Sequence, residues 1–128
     1  MKNSYHFGAL LLRIIGGGLM LVHGIPKLMK VINGDFTFPN PLSVGPEASL
    51  ILTVFAEFIC ALFILLGYRT RIASIPLMIT MLVAAFIHHW ADDFATKEKA
   101  LLYFGIYLAL FFIGSGKYSL DNALDSKS

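Results

Sequence analysis

The sequence predicts an all-α integral membrane protein: an up-down four-helix bundle forming a single domain over residues 1–128, with both termini cytoplasmic. Three observations carry that prediction. Hydrophobic residues make up 57% of the 128 and charged ones 14%, at a mean hydropathy of +0.74. A soluble domain is about a quarter charged and about half apolar. Four apolar stretches, each near the ~20 residues needed to cross a bilayer, alternate with polar or Pro/Gly-rich segments. Within them, ionisable and small residues recur at helical spacing, so each helix has one face that differs from the rest.

The first helix, about residues 8–31, follows a short amphipathic lead-in, Met1–Phe7, and organises the chain. Arg13, Gly16, Gly17, Met20, His23, Gly24 and Lys27 fall on one stripe, while Leu11, Ile15, Leu19, Val22 and Leu28 lie mostly elsewhere. A charge at the bilayer centre costs from ~2.5 to over 10 kcal/mol, so this stripe must face partners or water. Its glycines let a neighbouring helix come close. Pro26 frees the Val22 carbonyl and is placed to kink the helix beside His23. The start does not read as a cleavable signal, because the first apolar stretch is too long and lacks a small-x-small exit.

Ile32–Glu47, rich in Gly, Pro and Phe, is a loop. A plain connector is the simpler reading; the other has Phe36 and Phe38 laying it on the interface or over the bundle. The second helix, about 48–67, gathers Ser49, Thr53, Ala56, Glu57, Cys60 and Gly67 on its small and polar stripe, with Glu57 near mid-span. Gly67–Arg71 forms a tight basic turn into the third helix, about 72–90, where Ala73, Leu77, Met81, Ala84 and His88 share a face and Pro76 sits near the start. After the acidic loop Ala91–Lys97, the fourth helix covers about 98–114 and aligns Lys99, Tyr103 and Tyr107. The tail is short and polar.

Charge placement orients the bundle. Arg69 and Arg71 flank the shortest turn, and Lys2, Arg13, Lys117 and Lys127 join them if both ends lie inside, the side that short basic loops prefer. A net charge of +2 with no basic run gives no surface for nucleic acid. The single cysteine, Cys60, excludes an internal disulfide, a CxxC pair and a cysteine-built zinc site.

At about 1.5 Å per residue, Glu57 and Tyr103 lie near mid-span, and His23 and His88 about 22–24 Å from the inner end. Lys27 is close to the outer interface. These inward stripes predict a ligand-binding or proton-handling pocket of His23, Lys27, Glu57, His88 and Tyr103, open to the outer side. A carboxylate, an imidazole and a phenol can pass protons and orient a quinone-like or other small polar ligand. The competing reading is structural: Glu57 pairs with Lys27 or Arg13 and fixes helix register. Arg13 reads as an interface residue that snorkels, and Tyr107, Trp90 and Tyr68 as packing or belt residues. His23 and His88 at matched depth suggest axial ligands of a b-type haem, but two histidines align easily by chance. A metal site of His88, His89, Asp92 and Asp93 is outweighed by the solvated residues expected at a helix exit.

The pieces HGIPK (His23, Gly24, Lys27), the mid-helix Glu57, GYRTR (ending at Arg71), EKALLY (Glu98, Tyr103) and GSGKYSLD (Tyr118, Asp121), together with Arg13, run in an order and spacing that resemble the DoxX family of small bacterial membrane proteins. The resemblance covers nearly the whole chain; its one small departure is Gly114–Gly116, GSG in place of the familiar GPG. It implies an uncleaved, four-spanning, multi-pass protein of the bacterial inner membrane. It also implies related branches that include a subunit of a thiosulfate–quinone oxidoreductase and membrane partners of redox and thiol-handling proteins. By position, Arg13, Gly24, Arg71, Glu98, Tyr118 and Asp121 match the family pattern, with Tyr118, Ser119 and Asp121 expected to anchor the tail and Asp121 to pair with Arg71.

Three functions compete. An accessory or ligand-binding subunit of a redox-linked complex would use the pocket, with Glu57 exchanging the proton and His23 and Tyr103 orienting the ligand. The chain has no dithiol, nucleotide loop or cluster ligands, so such chemistry needs a bound cofactor or another subunit. A non-catalytic assembly partner would use the small-residue faces. A small transporter would need a homo-oligomer, since four short helices enclose little. Membrane lipids are partners in every case.

Overall fold

The computed structural model describes residues 2–39, 43–88 and 91–125. It is all-helical over these residues, with four long rods. We label them α1 (Asn3–Ile32), α2 (Pro46–Leu66), α3 (Thr70–Ile87) and α4 (Phe94–Ile113), followed by a short α5 (Leu120–Asp125). α1, α2 and α3 are long and apolar enough to cross a membrane, and α4 is 20 residues long.

The rods begin and end where local chemistry dictates. Gly45 takes φ 102° and Pro46 opens α2 at its first turn, where the missing N–H costs nothing. Gly67 closes α2 in the left-handed conformation. Arg69 follows with φ 49°, a left-handed conformation that a residue with a Cβ adopts only under constraint, and caps α3. Pro26 lies inside α1 and Pro76 inside α3; Thr80 donates to the Pro76 carbonyl at 2.8 Å.

Several boundaries differ from the expected ones. The lead-in is already helical, because Tyr5 Oη donates to the Ile113 carbonyl and His6 Nδ1 accepts the Lys117 N–H at 2.9 Å, tying the first turn to the end of α4. α4 starts at Phe94, so part of the acidic loop is its first turn. The polar tail contains α5, which the sequence does not announce.

Each of the first three rods also contains a π-helical segment: Ile14–Leu19 in α1, Phe55–Cys60 in α2, and Ala84–His88 at the end of α3. A π segment takes up one extra residue, re-aims the side chains beyond it, and occurs often at functional positions.

The stripes read from the sequence face inward. Arg13, Gly16, Gly17, Met20 and Gly24 are buried, whereas Leu11, Ile15, Leu19 and Val22 are exposed. Large apolar side chains such as Leu11, Ile51, Ile79, Leu102 and Phe112 coat the outside, as lipid requires. The core is narrow and alanine-rich: Ala56, Ala61, Ala73, Ala85 and Ala100 pack with Ile64, Leu77, Tyr107 and Leu110. Small residues let helices approach where lipid leaves little hydrophobic gain for association. The tightest seam joins α1 to α2. A Cβ on Gly17 would strike the Ala61 carbonyl and the Leu65 backbone, and one on Gly24 the Glu57 carbonyl.

Candidate functional site

The seam at Gly24 brings the middle of α2 directly beside α1. Glu57 sits in the α2 π segment, 5% exposed, and one turn beyond Gly24 the longer Lys27 side chain reaches back to it. Lys27 Nζ lies 2.6 Å from Glu57 Oε1, with 29% of the lysine side chain and 6% of the glutamate exposed. This is a charge-assisted contact in which the lysine also touches the outside.

A cavity of about 140 Å³ opens beside this pair, lined by Met20, His23, Lys27, Glu57, Met81, Ala84, Lys99, Ala100 and Tyr103. His23 and Tyr103 meet edge to face, their ring centroids 6.1 Å apart. Tyr103 stacks in turn on Tyr107, also at 6.1 Å with rings 17° apart. Tyr107 is fully buried, and its hydroxyl donates to the Gly16 carbonyl in the α1 π segment at 2.8 Å. A ladder of rings therefore runs from the cavity into the core and ends on a backbone acceptor. Phe38, from the loop after α1, brings its ring within 6.0 Å of Lys27 Nζ.

Four of the five expected pocket residues, His23, Lys27, Glu57 and Tyr103, thus line one cavity. The side chain of His88 falls outside the described residues, as do His89 and Trp90, so the haem and metal readings that use them find no geometry here. Lys99, aligned with Tyr103 on the fourth helix but not among the expected pocket residues, joins the cavity. Met20 and Met81, which lie on the inward stripes read from the sequence, supply apolar wall. Glu98 is exposed and does not line the cavity.

The remaining motif residues gather at the opposite end of the rods. Arg13 is 1% exposed, which corrects the expectation that it snorkels. Its guanidinium donates to the Leu65 carbonyl at 3.4 Å and to the Tyr118 carbonyl. Gly67 leaves the space it occupies, since a Cβ there would strike Arg13 and Ser119. The Tyr118 ring rests against Phe7, 5.2 Å between centroids.

Asp121 does not pair with Arg71 as expected. Both its oxygens accept the Arg69 backbone N–H at 2.9 Å, Oδ2 accepts the Ser115 hydroxyl at 2.6 Å, and its own N–H donates to the Gly67 carbonyl. The left-handed turn at Arg69 aims that amide at the carboxylate, while Arg71 donates to the Phe112 carbonyl at 3.3 Å.

Apolar rods, a glycine seam and an ion pair held between helices define a helical membrane protein. A family model described as DoxX matches residues 8–90. This chain belongs to the DoxX family. It is 29% identical over 124 residues to "Putative oxidoreductase CatD" of Bacillus subtilis, covering 94% of this chain and 90% of that protein. It is 29% identical over 133 residues to "Inner membrane protein YqjF" of Escherichia coli K12, covering 99% of each. "Uncharacterized membrane protein Rv3486" of Mycobacterium tuberculosis is 26% identical over 141 residues, covering 91% of this chain and 81% of the relative. No solved structure matches.

Proposed function

We propose that this protein is a multi-pass inner-membrane subunit of a redox-linked complex. In this reading its four helices alternate up and down with both termini in the cytoplasm, and it binds a small polar ligand beside Glu57 and His23. The observation that carries the reading is the Lys27–Glu57 pair at the edge of a hollow shared with His23, Lys99 and Tyr103. Ionisable residues inside a membrane are costly and mark functional sites by default. The similarity to the protein named "Putative oxidoreductase CatD" supports the redox setting, and that to one named as an inner membrane protein supports the location.

Size narrows the ligand. Sites for drug-sized molecules enclose roughly 300–1,000 Å³, so a hollow of about 140 Å³ admits a compact ring or a few waters. A quinone head group fits that description, with its tail left among the apolar side chains outside. Glu57 would exchange the proton, Lys27 would hold its charge, and His23 and Tyr103 would orient a carbonyl. Electron supply falls to a bound cofactor or a partner subunit.

The short ion-pair distance also favours a second reading, in which the pair is structural and the protein assembles with a membrane partner. Titrating nanodisc-embedded protein with a short-chain ubiquinone analogue separates the two. Saturable binding that weakens in Glu57→Gln supports the first. No saturable uptake, no co-extracted quinone, and loss of a co-purifying partner in the same variant would leave the second.

A further inference from the structure

The hollow beside Glu57 is lined by two unlike sets of polar groups. From α1 and α2 come His23 and the Lys27–Glu57 pair; from α4 come Lys99 and, one turn further on, Tyr103. Met20, Met81, Ala84 and Ala100 complete the lining with side chains that carry no charge. Methionine is flexible and polarisable, and it packs well against a flat ring.

The charges of the lining do not cancel. Lys27 Nζ is engaged by Glu57 Oε1 at 2.6 Å, and the Phe38 ring lies 6.0 Å from the same ammonium. His23 and Tyr103 add no fixed charge at neutral pH by the ordinary values of an imidazole and a phenol. Lys99 is then one positive charge in excess among the groups that line the hollow. It is exposed, so its ammonium stays hydrated and charged at the mouth.

The α4 side is also a wall of donors. An ammonium has three N–H groups and no acceptor, and a phenol has one O–H to give. Four residues apart on one helix, Lys99 and Tyr103 share a face, so an oxygen placed between them meets both. A hydrogen bond from a charged donor to an ionised oxygen is roughly twice as strong as a neutral one. Glu57, the carboxylate of the hollow, comes from α2 and is already held by Lys27.

We infer that the hollow selects a small ring carrying an ionised oxygen, a hydroxyquinone or phenolate in preference to an uncharged quinone, and that Lys99 sets this selection. The negative oxygen goes to the α4 wall, and the uncharged remainder of the ring packs on Met20 and Met81. Without Lys99 the lining would be neutral overall, and an anion would gain nothing over a neutral ring. The inference rests on the reading of this hollow as a ligand site and adds the charge of the ligand to it.

The test is equilibrium dialysis of the full chain in phosphatidylcholine nanodiscs, whose lipids carry no net charge. Two single-ring probes are compared: 2,5-dihydroxy-1,4-benzoquinone, ionised at neutral pH, and its uncharged 2,5-dimethoxy analogue, each corrected for uptake by lipid-only nanodiscs. Wild type should bind the ionised ring more tightly. A charge contact partly open to water is worth about 1 kcal/mol at most, so Lys99→Gln should weaken that binding by up to roughly fivefold and leave the dimethoxy ring unchanged. Lys99→Arg, which keeps the charge, should retain the preference. Circular dichroism and the thermal midpoint check that both variants fold. Equal binding of the two rings by wild type, or equal weakening of both by Lys99→Gln, would overturn the inference while leaving the ligand reading in place. Saturable binding of neither ring would overturn both.

Discussion

Lys27 and Glu57 illustrate how one contact can be worth more broken than made. Removing either partner strands the other in a low-dielectric seam, which for a fully buried pair costs about 3–5 kcal/mol. Lys27 keeps 29% of its side chain exposed, so about 1–3 kcal/mol is the expected loss for Lys27→Met or Glu57→Ala. The Lys27→Met/Glu57→Ala double variant should lose less than the sum of the two, read from thermal unfolding in detergent. Strict additivity would mean the two charges do not interact. At Gly24 a single methyl collides with the Glu57 carbonyl, so Gly24→Ala should cost about 1–3 kcal/mol by overpacking. A neutral Gly24→Ala would show that the seam is looser than described.

Outside the membrane, Asp35 titrates below the usual carboxylate range, chiefly because the Thr37 hydroxyl donates to it at 2.5 Å and then because the Thr37 N–H does. A depressed folded value means that its contribution to loop order is present above the unfolded value and fades as pH falls through the folded one. Thr37→Val should raise the Asp35 midpoint toward the ordinary one, followed by side-chain carboxyl NMR. An unmoved midpoint would assign the shift elsewhere.

At the scale of elements, the informative features are the ones that break the regular helix. The sequence made the inward stripes legible because glycine, alanine and ionisable residues are conspicuous in apolar surroundings; Gly17, Gly24 and Glu57 stand out by composition alone. The π segments were not legible. They arise where packing between rods outweighs local preference, and no residue type marks them in Phe55–Cys60. Nor was the αL turn at Arg69, which only makes sense once the Asp121 carboxylate is seen receiving its amide. A consequence is testable. Deleting Phe58 should restore a regular helix and turn Glu57 away from the direction the π segment gives it. The expected result is loss of the Lys27 contact and a lower melting temperature than wild type. Unchanged melting would place the π segment among details that the fold ignores.

Across the whole molecule, polar chemistry gathers in two places. One is the Glu57 hollow beside the middle of α2, and the other is the end of the rods where Arg13 lies under a lid made by the tail. Asp121 is the fastener of that lid, so Asp121→Ala should leave the Arg69 amide without its acceptor and the Ser115 hydroxyl with Thr70 Oγ1 as its remaining partner. Each unsatisfied group costs about 1–3 kcal/mol when buried, less where water reaches it. The expected signature is easier proteolysis after residue 113 together with a lower thermal midpoint. If both stay at wild-type values, the contacts of the tail with Arg13, His6 and Gly67 suffice to hold it. The tail's role was visible only as a motif, because Arg13 and Tyr118 are 105 residues apart and nothing local links them.

The Lys27–Glu57 contact also bears on how the chain is made. The two residues are 30 positions apart, so a ribosome adding roughly 5–20 residues per second delivers the acid about 2–6 s after the base. During that interval the first span carries an ammonium without its carboxylate, a state that costs more the deeper it lies in hydrocarbon. The pair closes only when the second span stands beside the first, as a hairpin joined at the glycine seam.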